Sequence, residues 1–127
     1  MILADTSVWI EFLRGKVDFV DVMSKLIEEN QIIAIECIFG ELLQGAKSTR
    51  EKNILVGYWM ELPKVEEKEI WIDAGLLSFK GKWTSKGVGL IDLAIVSAAR
   101  KNGLKVWTLD KKLGSVLSAT EKFDPES

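Results

Sequence analysis

The acidic residue Asp92 occupies a position that a solvated helix surface does not explain. It lies inside an otherwise apolar arc of a predicted helix, where its neighbours at about 100° per residue are Ile95, Val96 and Ala99. A carboxylate in such a face is unfavourable unless something compensates its charge. The free amides of the first helical turn could do so, and so could a bound cation.

Three further acidic residues stand at the borders of apolar segments. Asp5 and Asp110 each end a short apolar run that is typical of a buried strand, and Glu41 lies at the edge of an apolar helical face. In open α/β sheets, ligands bind at the carboxyl ends of the strands. The alternative for Asp5 and Asp110 is a helix N-cap, and for Glu41 an ordinary surface position.

The four acidic residues together indicate a metal site. Parallel strands end at the same edge of a sheet, and converging carboxylates repel unless a cation neutralises them or some are protonated. The chain has no histidine and a single cysteine, so oxygen ligands remain, and these select hard ions such as Mg²⁺ or Mn²⁺. Such a site is suited to phosphodiester hydrolysis, because the ion activates water and orients the phosphate.

The missing residue types and motifs exclude other functions. Without histidine, Ser-His-Asp and Cys-His catalysis and histidine-ligated zinc are excluded, and no glycine-rich nucleotide-binding run is present. The lone cysteine, the apolar start of the chain and the short apolar runs predict a cytoplasmic protein without a membrane partner.

Any nucleic-acid contact must depend on local basic groups, because the net charge is −2. Arg14 and Lys82 are the predicted contacts. They belong to two basic stretches that comprise Arg14 with Lys16, and Lys80, Lys82 and Lys86 around Trp83. The alternative is that these lysines are solvated around a core tryptophan.

Short apolar segments alternate with amphipathic helices along the chain. The pattern predicts strands at residues 1–4, 32–35 and 104–109, a weak strand at 64–66 and an edge strand near residue 123. The predicted helices cover residues 8–13, 19–30, 37–46, 54–62, 70–77, 90–101 and 111–118, with Thr6 or Ser7 as the first cap and Trp59, Trp71 and Trp107 at core spacings. This order predicts one domain over residues 1–127, an α/β/α sandwich of three layers with a mostly parallel, twisted sheet.

Four segments carry a resemblance to a known family. Residues 3–10 (LADTSVWI), 41–45 (ELLQG), 92–99 (DLAIVSAA) and 108–110 (TLD) resemble the motifs of PIN-domain ribonucleases, most strongly the VapC-type toxins of prokaryotic toxin–antitoxin pairs. The resemblance runs from Met1 to about Leu117. It implies a PIN-like fold for this chain.

The resemblance also implies roles for individual residues. The acidic quartet of the family falls on Asp5, Glu41, Asp92 and Asp110. Mg²⁺ would be held mainly through Asp5 and Asp92, with Glu41 and Asp110 completing the shell or positioning water. Two threonines, Thr6 and Thr108, match supporting hydroxyl positions. This sequence departs from the family at Cys37, where many relatives carry a small hydroxyl residue, and at Lys111 to Leu113, which puts a fifth acidic ligand in doubt.

The function implied is that of an endoribonuclease toxin, which leaves a 5′-phosphate and a 3′-hydroxyl. We expect an RNA substrate, a homodimer, and a small antitoxin that places an arginine or lysine near the quartet.

Other functions remain open. Carboxylate–metal chemistry does not itself distinguish RNA from DNA, and a non-catalytic binding module could keep the same fold. An acidic phosphate-receiver domain also gathers aspartates at strand ends. That domain requires a lysine at the end of the last core strand, where this chain has Asp110.

Overall fold

Residues 1–126 of the chain are described by a computed structural model. At its centre, strand β1 (Ile2–Ala4) pairs in parallel with strand β2 (Lys105–Trp107). Isolated parallel bridges widen this pair on both sides, joining Ile2 to Ile32, Ala34 to Lys64 and Val106 to Lys122. The sheet therefore runs from the segment at residue 64 through residues 32–34, β1 and β2 to residue 122.

Helical crossovers connect the parallel segments, as parallel pairing requires. The helices are α1 (Thr6–Leu13), α2 (Val17–Glu28), α3 (Glu36–Gln44), α4 (Thr49–Glu61), α5 (Ile70–Gly81), α6 (Leu90–Asn102) and α7 (Lys111–Val116), with 3-10 turns at Thr84–Lys86 and Ala119–Glu121. Helix α1 packs against α2 and α3, whereas α6 packs against α5 and α7. The predicted α/β sandwich with a mostly parallel sheet is confirmed. No helix within residues 1–126 is long and apolar enough to span a membrane.

The core lies between the sheet segments and the helices. Leu3, Ile32 and Val106 of the sheet are almost fully buried, and α6 contributes Leu93 and Val96. These contacts fix the carboxyl ends of β1 and β2 and the first turn of α6, which is where the acidic residues follow.

One predicted core tryptophan is not in the core. Trp71 is 48% exposed, because α5 turns Ile70 and Ala74 inward instead. Trp107 is buried, and Trp59 packs partly buried against the core as the sequence predicts.

Several boundaries differ from the prediction. Helix α1 begins at Thr6 with Asp5 as its N-cap, so the prediction of Thr6 or Ser7 as the cap was wrong. The strands predicted at residues 32–35, at residues 64–66 and near residue 123 are reduced to single bridges. Helix α5 extends to Gly81 and ends at Lys82, which adopts a left-handed conformation (φ 54°). The next backbone N–H, that of Trp83, donates to the carbonyl of Ser78 at 3.1 Å and closes the end.

Candidate active site

The carboxylate of Asp5 is the buried centre of the site. Asp5 directly follows β1 and is 5% exposed, and its backbone N–H donates to the carbonyl of Trp107 at 3.0 Å, which ties it to β2. Its Oδ1 accepts bonds from the Ser7 hydroxyl at 2.5 Å and the Val8 N–H at 3.3 Å. The helix-cap role and the position at the strand end therefore coexist in one side chain.

The end of β2 approaches Asp5 through Thr108. The Thr108 hydroxyl donates to Asp5 Oδ2 and accepts the backbone N–H of Asp110 at 2.9 Å. Asp110 in turn caps α7, because its Oδ1 accepts the N–H of Lys112 at 2.8 Å. One hydroxyl thus links the buried aspartate of β1 to the exposed aspartate after β2.

Helix α3 brings Glu41 to the same edge. Glu41 Oε1 accepts the hydroxyl of Thr6 at 2.9 Å, and Thr6 is the residue after Asp5. Both threonines that the sequence singled out therefore bond to acidic residues of the quartet.

Asp92 completes the group from the first turn of α6. Burial raises its pKa most, and the charges of Asp110, Asp5 and Glu41 raise it further, whereas a backbone bond from Gly89 lowers it. Since all three other carboxylates act on Asp92, the four acidic residues converge on one region. Asp92 is at the same time a carboxylate in the first turn of a helix, where free amides favour its charge, and a bound cation stays a prediction.

Ser7 also belongs to the site, although the sequence pattern did not indicate it. Its hydroxyl donates to Asp5 and accepts the N–H of Leu109 at 3.0 Å, so it joins the two strand ends. The signal was present, because Ser7 stands two residues after an aspartate that ends a strand, where a hydroxyl can bond back to the carboxylate.

Comparisons with known proteins identify the family. The profile of the PIN domain matches residues 2–116. This chain belongs to the PIN domain family. It is 30% identical over 116 residues to Ribonuclease VapC32 of Mycobacterium tuberculosis, covering 89% of this chain and 87% of the relative.

Solved structures share the PIN fold. A toxin–antitoxin complex from Klebsiella pneumoniae aligns with a TM-score of 0.70 at 18% identity, over 98% of both chains. The VapBC2 structure from Rickettsia felis, bound to a promoter DNA fragment, aligns with a TM-score of 0.69 at 18% identity, over 92% of this chain and 93% of that chain. The family that the four motifs indicated is confirmed.

The PIN-domain quartet is not a closed metal cage. Within residues 1–126, no three acidic or cysteine side chains lie close enough together to form a ready-made metal site. The oxygen-only donor set still fits Mg²⁺, which binds proteins through one or two carboxylates and keeps several waters. Asp5 and Asp92 each carry a carboxylate of the type that such an ion takes.

A groove flanks the quartet on the side of α3. The Glu41 groove is a cavity of about 310 Å³ between α1, α3 and α4. Its lining consists of Thr6, Ile10, Leu13, Arg14, Glu41, Leu42, Gly45, Ala46, Lys47, Glu51, Ile54 and Leu55. Apolar side chains dominate, and Ile10, Leu13 and Ile54 are each about two-fifths exposed.

A second cavity flanks the quartet on the side of α7. The Asp110 cleft has a volume of about 380 Å³ and lies at the end of β2. Its lining consists of Val106, Thr108, Leu109, Asp110, Lys111, Gly114, Ser115, Lys122 and Phe123. Two lysines and two hydroxyl residues share this lining with Val106, Leu109 and Phe123, whereas apolar side chains dominate the Glu41 groove.

The two basic residues predicted to contact nucleic acid lie in different places. Arg14 lines the Glu41 groove and pairs with Glu11 at 3.3 Å. Lys82 ends α5 and lines neither cavity. Nearby Lys86 stacks on the Trp83 ring at 4.4 Å from its centroid, the arrangement expected of a solvated lysine beside a tryptophan.

The single cysteine takes no part in the acid–base chemistry. Burial and the charges of Glu67 and Glu41 raise the pKa of the Cys37 thiol to about 12. The thiol therefore stays protonated at neutral pH, which excludes it as a nucleophile.

Proposed function

We propose that this chain is a Mg²⁺-dependent endoribonuclease, the toxin of a type II toxin–antitoxin pair that acts in the cytoplasm. The observation that carries the proposal is the hydrogen-bonded link from Asp5 through Thr108 to Asp110, with Glu41 bound to Thr6 beside Asp5. The charges of these three carboxylates also raise the pKa of Asp92. Membership of the PIN family and similarity to a VapC ribonuclease support the same activity. Mn²⁺ is expected to substitute for Mg²⁺, because both are hard ions that oxygen ligands bind.

The expected roles of the four acidic residues differ with their burial. Asp5 and Asp92 would hold the ion, and Glu41 and Asp110 would complete its shell or orient a water molecule. When bound, the ion lowers the pKa of a bound water and offsets charge on the leaving oxygen. Asp5 is held by hydrogen bonds from Ser7 and Thr108, whereas Asp110 is exposed and open to an approaching RNA substrate. We expect products with a 5′-phosphate and a 3′-hydroxyl.

Cleavage assays on matched variants test this function. Asp5→Asn and Asp92→Asn should each lower the cleavage rate of single-stranded RNA by at least about 100-fold, because each removes a charge that holds the ion. Asp18→Asn on the exposed start of α2 is the matched control and should retain activity. Mg²⁺ and Mn²⁺ should support cleavage, and EDTA should abolish it.

Persistent activity in EDTA, or in both site variants, would contradict the mechanism. The same assay on DNA of equal sequence separates the alternatives. Preferential DNA cleavage would indicate a DNA-directed enzyme, and binding without cleavage would indicate a non-catalytic module.

The antitoxin is expected in the Glu41 groove. The groove offers the apolar side chains of Ile10, Leu13 and Ile54 to a partner segment, and Thr6 and Glu41 continue its lining into the quartet. A peptide with apolar anchors and one arginine or lysine fits this layout, because the basic group would reach the carboxylates in place of the metal.

The outward face of α5 is the surface expected to form the homodimer. Ile72, Leu76 and Phe79 lie at helical spacing and are 66%, 63% and 85% exposed, and Trp71 borders them. With about 200 Å² for each fully exposed side chain, these residues expose on the order of 500 Å² per copy. Two copies would bury about 1,000 Å², the lower limit for a specific interface.

A charged variant tests this interface. Phe79→Asp should convert the dimer to a monomer in light scattering, since it places a carboxylate in the centre of the apolar contact. Val17→Asp, at an apolar position on α2 that is 69% exposed, should leave the dimer intact. A wild-type protein that is monomeric at high concentration would contradict the homodimer.

A further inference from the structure

The Asp110 cleft is a formed cavity to which the proposed metal chemistry assigns no ligand. Asp110 forms part of its lining, together with the hydroxyls of Thr108 and Ser115 and the amino groups of Lys111 and Lys122. Its volume of about 380 Å³ lies within the usual range for small-ligand sites, about 300–1,000 Å³.

We propose that this cleft binds the nucleotide next to the scissile phosphate of the RNA, with Lys111 and Lys122 contacting a backbone phosphate and Phe123 facing the base. The inference rests on the proposed function and deepens it, because it assigns the substrate strand to one flank of the quartet.

The two lysines have no competing partner. Within residues 1–126, ion pairs engage Arg14, Lys16, Arg100 and Lys101, whereas neither lysine of the cleft pairs with a carboxylate. A polyanion that approaches four carboxylates is repelled unless cations stand beside them. These ammonium groups supply that attraction at the edge of the acidic quartet.

The polypeptide joins the cleft to the reacting centre. Thr108 lines the cleft and donates its hydroxyl to Asp5, and the next-but-one residue is Asp110 itself. A nucleotide held in the cleft therefore places the neighbouring phosphate at the quartet. Gly114, which also lines the cleft, carries no side chain, and a Cβ there would lie 3.9 Å from Lys122 Nζ.

The aromatic ring of the cleft is held in place. Phe123 packs against Trp107 with ring centroids 5.2 Å apart, and its backbone N–H donates to the carbonyl of Val106 at 2.9 Å. A ring fixed in this way can stack on a base without losing much conformational freedom, and such stacking tolerates every base.

Salt-dependent RNA binding tests the proposal without relying on cleavage. The probe is a labelled single-stranded RNA, titrated in EDTA against Asp92→Asn protein between about 50 and 200 mM salt. Adding Lys111→Ala and Lys122→Ala should weaken binding about 10-fold and reduce the salt slope by about 0.7, since the two lysines contact one phosphate and each neutralised phosphate on a single strand contributes about 0.7. Arginine at both positions should preserve the slope.

The matched control replaces two exposed lysines at the opposite edge of the sheet. Lys25→Ala with Lys105→Ala, on α2 and at the start of β2, removes the same charge and should leave the slope unchanged. The proposal that the cleft binds RNA would be overturned if both double variants lost the same RNA affinity. It would also be overturned if the cleft variant bound RNA unchanged, or if the Asp92→Asn parent did not bind RNA. If wild type fails to cleave RNA in Mg²⁺ while the lysine-dependent binding persists, the proposed activity fails and the cleft stands.

Discussion

The two cavities beside the acidic quartet differ in the chemistry that they offer. The Glu41 groove presents apolar side chains, and its Arg14 is engaged by Glu11. The Asp110 cleft presents Lys111 and Lys122 without carboxylate partners within residues 1–126. The first suits a protein segment that buries apolar groups, and the second suits a phosphate backbone.

This difference provides separate binding surfaces beside one acidic centre for an RNA substrate and for an inhibiting antitoxin. A peptide in the groove would bring its basic group to Glu41, and an RNA strand in the cleft would bring its phosphate to Asp110. Both would meet at Asp92, where the charges of the two flanks act on one carboxylate. Inhibition would then arise by competition at the centre, while the two binding surfaces remain separate.

The largest expected difference between the Glu41 groove and the Asp110 cleft is the loss of antitoxin binding when a charge is placed in the groove. Ile54→Asp should weaken antitoxin binding by about 100-fold, because a buried unpaired carboxylate opposes an apolar anchor at the centre of an interface. Since Ile54 is 41% exposed in the free chain, the variant should fold and cleave RNA normally. Titration calorimetry with the proposed antitoxin measures the loss.

The control for this variant lies on the same helix. Met60→Asp replaces an apolar residue of α4 that is 75% exposed and lines neither cavity, so antitoxin binding should be retained. If Ile54→Asp binds the antitoxin as wild type does, the groove is not its docking site. If it loses RNA cleavage as well, the two flanks are not independent.

Only part of the acidic quartet was marked by a local pattern. Asp92 interrupted an apolar arc, and Asp5 and Asp110 ended apolar runs where a helix cap was the simpler explanation. Glu41 lay at the border of an apolar face, and it was the resemblance to the family that joined it to the other three. The order of strands and helices was equally readable, since alternating periodicities report burial directly.

The flanks of the site could not be predicted in the same way. A cavity depends on how helices distant in the sequence pack, as with Ile10 on α1 and Ile54 on α4. Lys122 lies in a polar tail that the pattern marked only as a possible edge strand, yet one bridge to Val106 brings it beside Asp110. Trp71 shows the same limit, because core spacing in the sequence did not reveal that α5 turns this ring outward.

The smallest effect concerns the wall of the Asp110 cleft, which an ion pair holds in place. Arg100 on α6 donates to Glu121 at 2.7 Å and to the carbonyl of Val116 at 3.2 Å, and Lys122 follows directly. The bond from Arg100 holds the pKa of Glu121 down at about 2. The groove has no contact with this pair, so loss of the pair should affect only the cleft.

Arg100→Gln should lower the free energy of unfolding at neutral pH by about 1 kcal/mol, because the partial exposure of Arg100 screens the pair. The folded pKa of Glu121 is lowered, so its contribution is fully present above the unfolded pKa of about 4.5 and is lost as pH falls towards about 2. Urea unfolding of wild type and variant across this range should therefore show a stability gap that closes on acidification. A gap that stays constant down to the folded pKa would mean that Arg100 acts by packing and its bond to Val116.

RNA binding by the same variant at neutral pH should weaken by a factor of about 2 to 3, whereas its affinity for the antitoxin should not change. The effect on RNA is small because a change of well under 1 kcal/mol in one wall of the cleft alters an affinity only a few-fold. If the binding of RNA and of the antitoxin weakened equally, the Arg100–Glu121 pair would support the whole fold. The pair would then not distinguish the Asp110 cleft from the Glu41 groove.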